Sequence, residues 1–136
     1  MIRTHTSTIR VRYAETDKMQ IVYNANYLIY FEIGRTELLR AIGLPYAVCE
    51  ENGFQFPVAE ASVQYLKPAR YDDELSIQAD LEYEPSKPYI TIKYEITRNE
   101  DVIARGMTKH PFFDITSQKP IRPPALFRNC IEQPNV

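Results

Sequence analysis

Asp17 and Asn24 flank the start of the one long helical pattern in this sequence. The first turn of a helix carries unpaired N–H groups and a partial positive charge, which hold a developing oxyanion. A carboxylate beside it attacks a carbonyl or activates water. The segment from Asp17 to Tyr27 therefore contains both halves of an acyl-transfer site. The same residue types also make turns: Thr16 and Asp17 are good capping residues, and the Asn24 side chain can accept from exposed N–H groups. The two readings of Asn24 are compatible, because its backbone donor is available whatever its side chain does.

Hydrophobic periodicity supplies the elements that must position this segment. Ile9, Val11 and Tyr13 alternate with Thr8, Arg10 and Arg12, which predicts a half-buried strand over Thr8–Tyr13. Leu28, Phe31, Leu38, Leu39 and Ile42 recur at helical spacing. A helix is thus expected over Ala25–Ile42, capped by Asn24 or Asn26 and stopped by Gly43 and Pro45. Gly34 in its middle costs ~1 kcal/mol relative to alanine in an exposed helix, which points to a sheet packed closely against it. A short second helix is expected over Tyr46–Asn52.

From Val58 to Leu66 the period is two, with Ala59, Ala61, Val63 and Tyr65 facing one way and Glu60, Ser62 and Gln64 the other. Leu75 to Tyr83 and Ile90 to Thr97 continue the alternation, and Asn99 to Asp101 turns into a strand from Val102 towards Ile115. Ala125–Ile131 reads as a small terminal helix. One strand, one long helix and a meander make an α+β domain spanning residues 1–136, with an antiparallel sheet of about five strands. A helix about 27 Å long and ~10 Å wide is too narrow to cover five strands spaced ~4.8 Å apart. The sheet must curl round it, and a second copy is expected to cover the remaining edge, as a homodimer or larger assembly.

Composition excludes several function classes. A net charge of -2 across 136 residues gives no concentrated basic surface for nucleic acid. No apolar run is long enough to span a bilayer, and the first ten residues lack an apolar leader core, so the chain reads as cytoplasmic without membrane insertion. Cys49 and Cys130 lack ligand spacing and read as free thiols, with neither a metal site nor a cofactor expected. His5 and His110 have no triad spacing. Only four glycines are present and no Gly-x-Ser-x-Gly elbow, which leaves a serine hydrolase unsupported.

Three stretches together resemble a known family: Val11-Arg12-Tyr13-Ala14-Glu15-Thr16-Asp17, then Val22-Tyr23-Asn24-Ala25-Asn26-Tyr27, then Phe31-Glu32-Ile33-Gly34-Arg35-Thr36-Glu37. The sequence is similar to hotdog-fold acyl-CoA thioesterases of the 4-hydroxybenzoyl-CoA thioesterase family, including its Tol-Pal-associated branch. The likeness continues through Tyr65-Leu66-Lys67-Pro68-Ala69-Arg70 and Asp72-Asp73 into the last strand. The resemblance implies a sheet wrapped round a central helix, dimers with a continuous sheet that often pair into tetramers, and acyl-CoA bound at subunit boundaries. Asp17 matches the family's catalytic carboxylate, acting as nucleophile or general base. Asn24 matches the residue whose backbone N–H polarises the carbonyl. In the Tol-Pal-associated branch a histidine typically stands where this chain has Asn24, an amide that does not titrate.

Further residues are candidates by their place in the chain. Tyr23, Tyr27 and Phe56 are candidates for the acyl wall, with ordinary packing as the alternative. Lys67 and Arg70, and after them Arg105 and Lys109, are candidates for the nucleotide phosphates of CoA, with solvated surface as the alternative. Glu60 is a candidate second acid if it points inward from its strand. Hydrolysis of acyl-CoA is the leading reading. Acyl carrier protein in place of CoA, a hotdog dehydratase, and a non-catalytic acyl-binding or scaffold protein are the alternatives, and multiple turnover with thiol release separates the last from the enzymes.

Overall fold

In the computed structural model, which describes residues 1–133, the chain enters through strand β1, Ile2–Arg10. It is longer and earlier than the alternation of Ile9, Val11 and Tyr13 suggests, because its inward side is mostly polar (Arg3, His5, Ser7) and carries no apolar signal. Backbone pairing fixes it instead, antiparallel to β4 from Ile2 opposite Glu82 to Arg10 opposite Glu74. Tyr13, expected to share the buried side of the strand, lies in a 3-10 turn over Tyr13–Glu15 and is 77% exposed.

Helix α1 spans Asn26–Ala41 and buries Tyr27, Tyr30, Phe31, Gly34, Leu38 and Leu39. Its end is a Schellman arrangement: Gly43, at φ 86°, donates to the Arg40 carbonyl, and Leu44 donates to that of Leu39. Leu28, expected in the buried stripe, is instead 44% exposed. A short α2 over Tyr46–Glu51 follows, then β2 at Phe54–Gln55.

The remaining strands are β3 Glu60–Tyr65, β4 Glu74–Glu82, β5 Tyr89–Arg98, β6 Asp101–Pro111 and the two-residue β7 Phe113–Asp114, before helix α3 at Ala125–Glu132. Five of them form one antiparallel sheet in the order β1-β4-β5-β6-β3, and β2 pairs with β7. The α+β architecture is the expected hotdog: a curled sheet with α1 on its inner face. Leu75, Ile77, Ala79 and Leu81 of β4 and Ile90, Ile92, Tyr94 and Ile96 of β5 are all buried. No helix among the described residues is long and apolar enough to cross a membrane.

Two glycines let helix and sheet approach. A Cβ on Gly34 would lie 2.7 Å from Ile77 Cγ2, which accounts for an otherwise unfavourable residue in mid-helix. At Gly106 of β6 a Cβ would collide with the Phe31 ring and the Ser62 carbonyl. That ring also stacks on Tyr94, centroids 4.3 Å apart. At the sheet margin the alternation of β3 is not matched by burial. Ala61 and Tyr65, expected to face the core, are exposed because nothing among the described residues covers the edge.

Gly106→Ala is expected to lower stability by about 1–3 kcal/mol through overpacking against Phe31, read as a lower urea midpoint with an unchanged slope.

Candidate active site

A buried carboxylate sets the local geometry. Glu15 is 7% exposed, and its Oε1 accepts the Arg12 backbone N–H at 2.8 Å and the Tyr30 hydroxyl at 3.0 Å. Its own carbonyl accepts the Tyr23 N–H at 2.9 Å and the Asn26 side-chain amide at 2.9 Å. One residue therefore ties the end of the 3-10 turn to both the entry and the second turn of α1. Burial first, and then the adjacent Glu15 charge, push the Tyr30 hydroxyl far above its ordinary range, so Tyr30 stays a donor. The sequence signal was an acid three residues after the turn's start, reaching back to the first N–H as a capping-box glutamate does.

Asp17 begins a tight loop. Its backbone N–H donates to the Ile21 carbonyl, its carbonyl accepts from Gln20, and Gln20 adopts φ 65° to close the turn. Asp17 Oδ1 accepts the Met19 N–H at 2.8 Å, so half of the carboxylate serves as a turn former. Among the described residues the other oxygen, Oδ2, has neither a hydrogen-bond partner nor an ion-pair partner.

Asn24 occupies the turn that leads into α1. The Asn26 N–H donates to the Tyr23 carbonyl and the Tyr27 N–H to that of Asn24, so the first unpaired donors of the helix belong to Asn24 and Ala25. Asn24 Oδ1 takes the Ala25 N–H at 3.1 Å. The Asn24 N–H is left without an acceptor among the described residues. Asn26, the alternative cap, does not cap: its side chain is spent on Glu15.

Asp17, Tyr23, Asn24, Tyr27 and Lys67 line one cavity of about 460 Å³, together with Tyr65 and Pro68. Its far wall is anchored by backbone pairing of Leu66 and Lys67 with the Ile103 carbonyl, and by Arg98, which donates to the Pro68 carbonyl at 3.0 Å. Tyr65, assigned by its alternation to one face of β3 but not to the site, reaches across to the helix start: its hydroxyl donates to the Asn24 carbonyl at 3.1 Å and its ring meets Tyr27 edge-on at 5.2 Å. Lys67 is paired with Asp101 at 3.0 Å.

Other candidates lie elsewhere. Arg70 is exposed and does not line the cavity; its backbone bridges to Ile21 and its N–H donates to Asp73 Oδ2 at 2.9 Å. Phe56 is buried in an aromatic cluster with Phe54, Phe112 and Phe127, outside the cavity. Glu60 is exposed at the opposite end of β3 from Tyr65, in register with Lys109, and is not brought near Asp17 within this chain. Arg105 pairs with Glu95, and Lys109 lies over the Tyr89 ring, both away from the cavity. His5 sits in β1, and His110 is fully buried, bonded through Nε2 to Thr108 at 2.8 Å and through Nδ1 to the Phe56 carbonyl at 3.3 Å. Among the described residues no group of acids, histidines or cysteines could hold a metal, and Cys49 and Cys130 are free.

Comparison with known proteins places the fold in a family. Residues 11–130 match the model of the Thioesterase-like superfamily. YneP of Bacillus subtilis is 43% identical over 74 residues, 54% of each chain, so the matched part spans about half the length of that relative. The acyl-CoA thioesterase YbgC of Haemophilus influenzae is 30% identical over 114 residues, 83% of each chain. Among solved structures, a DHNA-CoA thioesterase from Staphylococcus aureus superposes with TM-score 0.86 at 31% identity, covering 95% of this chain and 87% of its own.

Burial, and then the nearby Arg35 charge, lower His110 to about 4. The unfolded histidine titrates near ~6.5, so between those values the unfolded state binds a proton that the folded state refuses. Stability is therefore expected to fall by an amount on the order of 3 kcal/mol as pH drops from about 6.5 to about 4, and to be flat above that window. Urea titrations across this range should show the slope for the parent chain and a flatter profile for His110→Gln.

Proposed function

The chain belongs to the Thioesterase-like superfamily, and from that premise we propose that it hydrolyses an acyl-CoA thioester to the free acid and CoA. The observation that carries the reading is the pairing at one cavity wall of a carboxylate with a free oxygen, Asp17, and a helix-start N–H without an acceptor, Asn24. The acyl-CoA thioesterases among the relatives support the choice of thioester.

The chemistry takes one of two courses. Asp17 attacks the thioester carbon and expels the CoA thiolate, leaving a mixed anhydride that water cleaves. Alternatively, Asp17 takes a proton from water, which attacks the carbon directly, and the tetrahedral intermediate then expels the thiolate. In both, negative charge develops on the carbonyl oxygen, where the Asn24 N–H, reinforced by the start of α1, stabilises it. The Asn24 side chain supplies no proton, so in the first course the departing thiolate takes its proton from solvent, and in the second it takes the proton that Asp17 removed from water, which restores the carboxylate. Tyr23 and Tyr27 wall the reacting end of the acyl group, and Lys67, at the rim, meets the phosphates of CoA by exchanging Asp101 for them. Arg70, the next cation along the chain, is the second candidate for the phosphates. Acyl carrier protein is the alternative donor of the acyl group.

The protein works as a homodimer or a pair of dimers. Supporting this are the open edge of β3 and the exposed apolar side chains beside it, Leu28, Ile29, Val58, Tyr65 and Leu66. In such an assembly Glu60 approaches the site from the second copy. A cytoplasmic setting fits a CoA ester substrate and two free thiols.

Asp17→Asn is expected to cut thiol release from a panel of acyl-CoAs by about 10³-fold or more, with the circular dichroism spectrum and assembly retained; turnover within a few-fold of the parent would rule the assignment out. Light scattering should give the mass of two or four 15.9 kDa chains, and a monomer mass would contradict the assembly.

A further inference from the structure

Asn24 is held from two directions. Before it, the Tyr23 N–H donates to the Glu15 carbonyl at 2.9 Å. After it, the Asn24 carbonyl accepts the Tyr27 N–H at 3.3 Å and the Tyr65 hydroxyl at 3.1 Å. The first of these two bonds is long and stays within one turn. The second comes from a residue 41 positions away, and among the described residues it is the one hydrogen bond that reaches Asn24 from outside the helix start.

Tyr65 is itself firmly seated. It is the last residue of β3, in register with the buried Ala104, and the next two N–H groups, of Leu66 and Lys67, share the Ile103 carbonyl. Its ring meets Tyr27 edge-on, Tyr27 meets Tyr30 edge-on at 5.7 Å, and the Tyr30 hydroxyl ends on Glu15 at 3.0 Å. A row of three rings thus runs from the edge strand through the first turns of α1 to the buried acid. The fold does not need the hydroxyl at the end of that row. Tyr65 is 51% exposed, and a hydrogen bond in that setting contributes little to stability. What the bond does restrict is rotation of the backbone at Asn24. An oxyanion donor works only when it is held within about 0.5 Å and 10–20° of the productive geometry.

We infer that Tyr65 is a positioning residue for thioester hydrolysis: by bonding the Asn24 carbonyl, its hydroxyl keeps the Asn24 N–H aimed at the carbonyl oxygen of the substrate. The inference rests on the thioesterase reading above. The hydroxyl acts through Asn24 and its bond is made before substrate arrives, so it neither donates to the thioester nor gives up a proton. The two parts of the side chain have different roles. The ring lines the cavity and contributes to binding, whereas the hydroxyl sets the donor.

Tyr65→Phe removes the hydroxyl and keeps the ring. In the full-length protein it is expected to lower kcat about 10–100-fold with KM within about twofold of the parent, and to leave the urea midpoint and the assembly unchanged. Tyr65→Ala, which removes the ring as well, should also raise KM. A pair of inhibitors separates aim from general damage. The trifluoromethyl ketone analogue of octanoyl-CoA, whose tetrahedral hydrate mimics the transition state, should bind Tyr65→Phe about tenfold or more weakly than the parent, while the octyl thioether of CoA, which lacks the carbonyl, binds both alike. The pH profile of kcat should keep its shape. A kcat within about twofold of the parent, an equal loss of affinity for ketone and thioether, or a changed pH profile, which would make the hydroxyl a proton donor, overturns the inference. Absence of turnover of every acyl-CoA by the parent chain would instead overturn the thioesterase reading itself.

Discussion

The Glu15 carboxylate is the contact on which the site depends. A loop that leaves a strand, reverses over Asp17 and re-enters as a helix has no reason of its own to keep Asp17 and Asn24 on one wall. Glu15 removes that freedom by bonding to both sides of the loop: its carboxylate accepts from the Arg12 N–H and the Tyr30 hydroxyl, and its backbone carbonyl from Tyr23 and Asn26. Because the carboxylate is buried, losing it would leave a tyrosine hydroxyl and a backbone donor unpaired, at about 1–3 kcal/mol each. The acid that carries no proposed chemistry therefore governs where the reactive acid stands.

The same economy of contact shapes the larger frame. Helix α1 can lie across the sheet only because Gly34 and Gly106 remove side chains at the two points of closest approach. One helix still cannot cover five strands, and β3 is the strand left over. Tyr65 and Ala61 face open space instead of a core, Tyr65 at the cavity beside Asn24 and Ala61 at a separate hollow beside Arg35. An incompletely covered sheet is thus the origin of the binding space, and the exposed apolar side chains beside it are what a second copy would enclose.

Much of this was legible in the residues. The strict alternation of Leu75 to Leu81 and Ile90 to Ile96, the helical spacing from Phe31 to Ile42, and Gly43 with Pro45 as a stop all signal through periodicity or backbone freedom, and the sheet, helix and helix end follow them. Placing Asp17, Tyr23, Asn24, Tyr27 and Lys67 together needed only the turn before the helix and the family likeness. What periodicity could not reveal was set by polar or long-range contacts. The start of β1 depends on pairing with β4, Tyr13 is turned outward by a 3-10 turn, Phe56 is drawn into an aromatic cluster with residues more than fifty positions away, and Glu15 and Tyr65 act through hydrogen bonds that leave no periodic trace.

The central claim is that the wall shared by Asp17 and Asn24 receives a thioester carbonyl. Its most direct test is a crystal structure of the protein with a non-hydrolysable acyl-CoA thioether ketone bound. The account predicts the ketone oxygen within about 2.7–3.1 Å of the Asn24 backbone nitrogen, with Asp17 Oδ2 facing the carbonyl carbon directly or through one water. A ketone seated away from the Asn24 N–H, with Asp17 still turned into its own loop and no water between them, would contradict it.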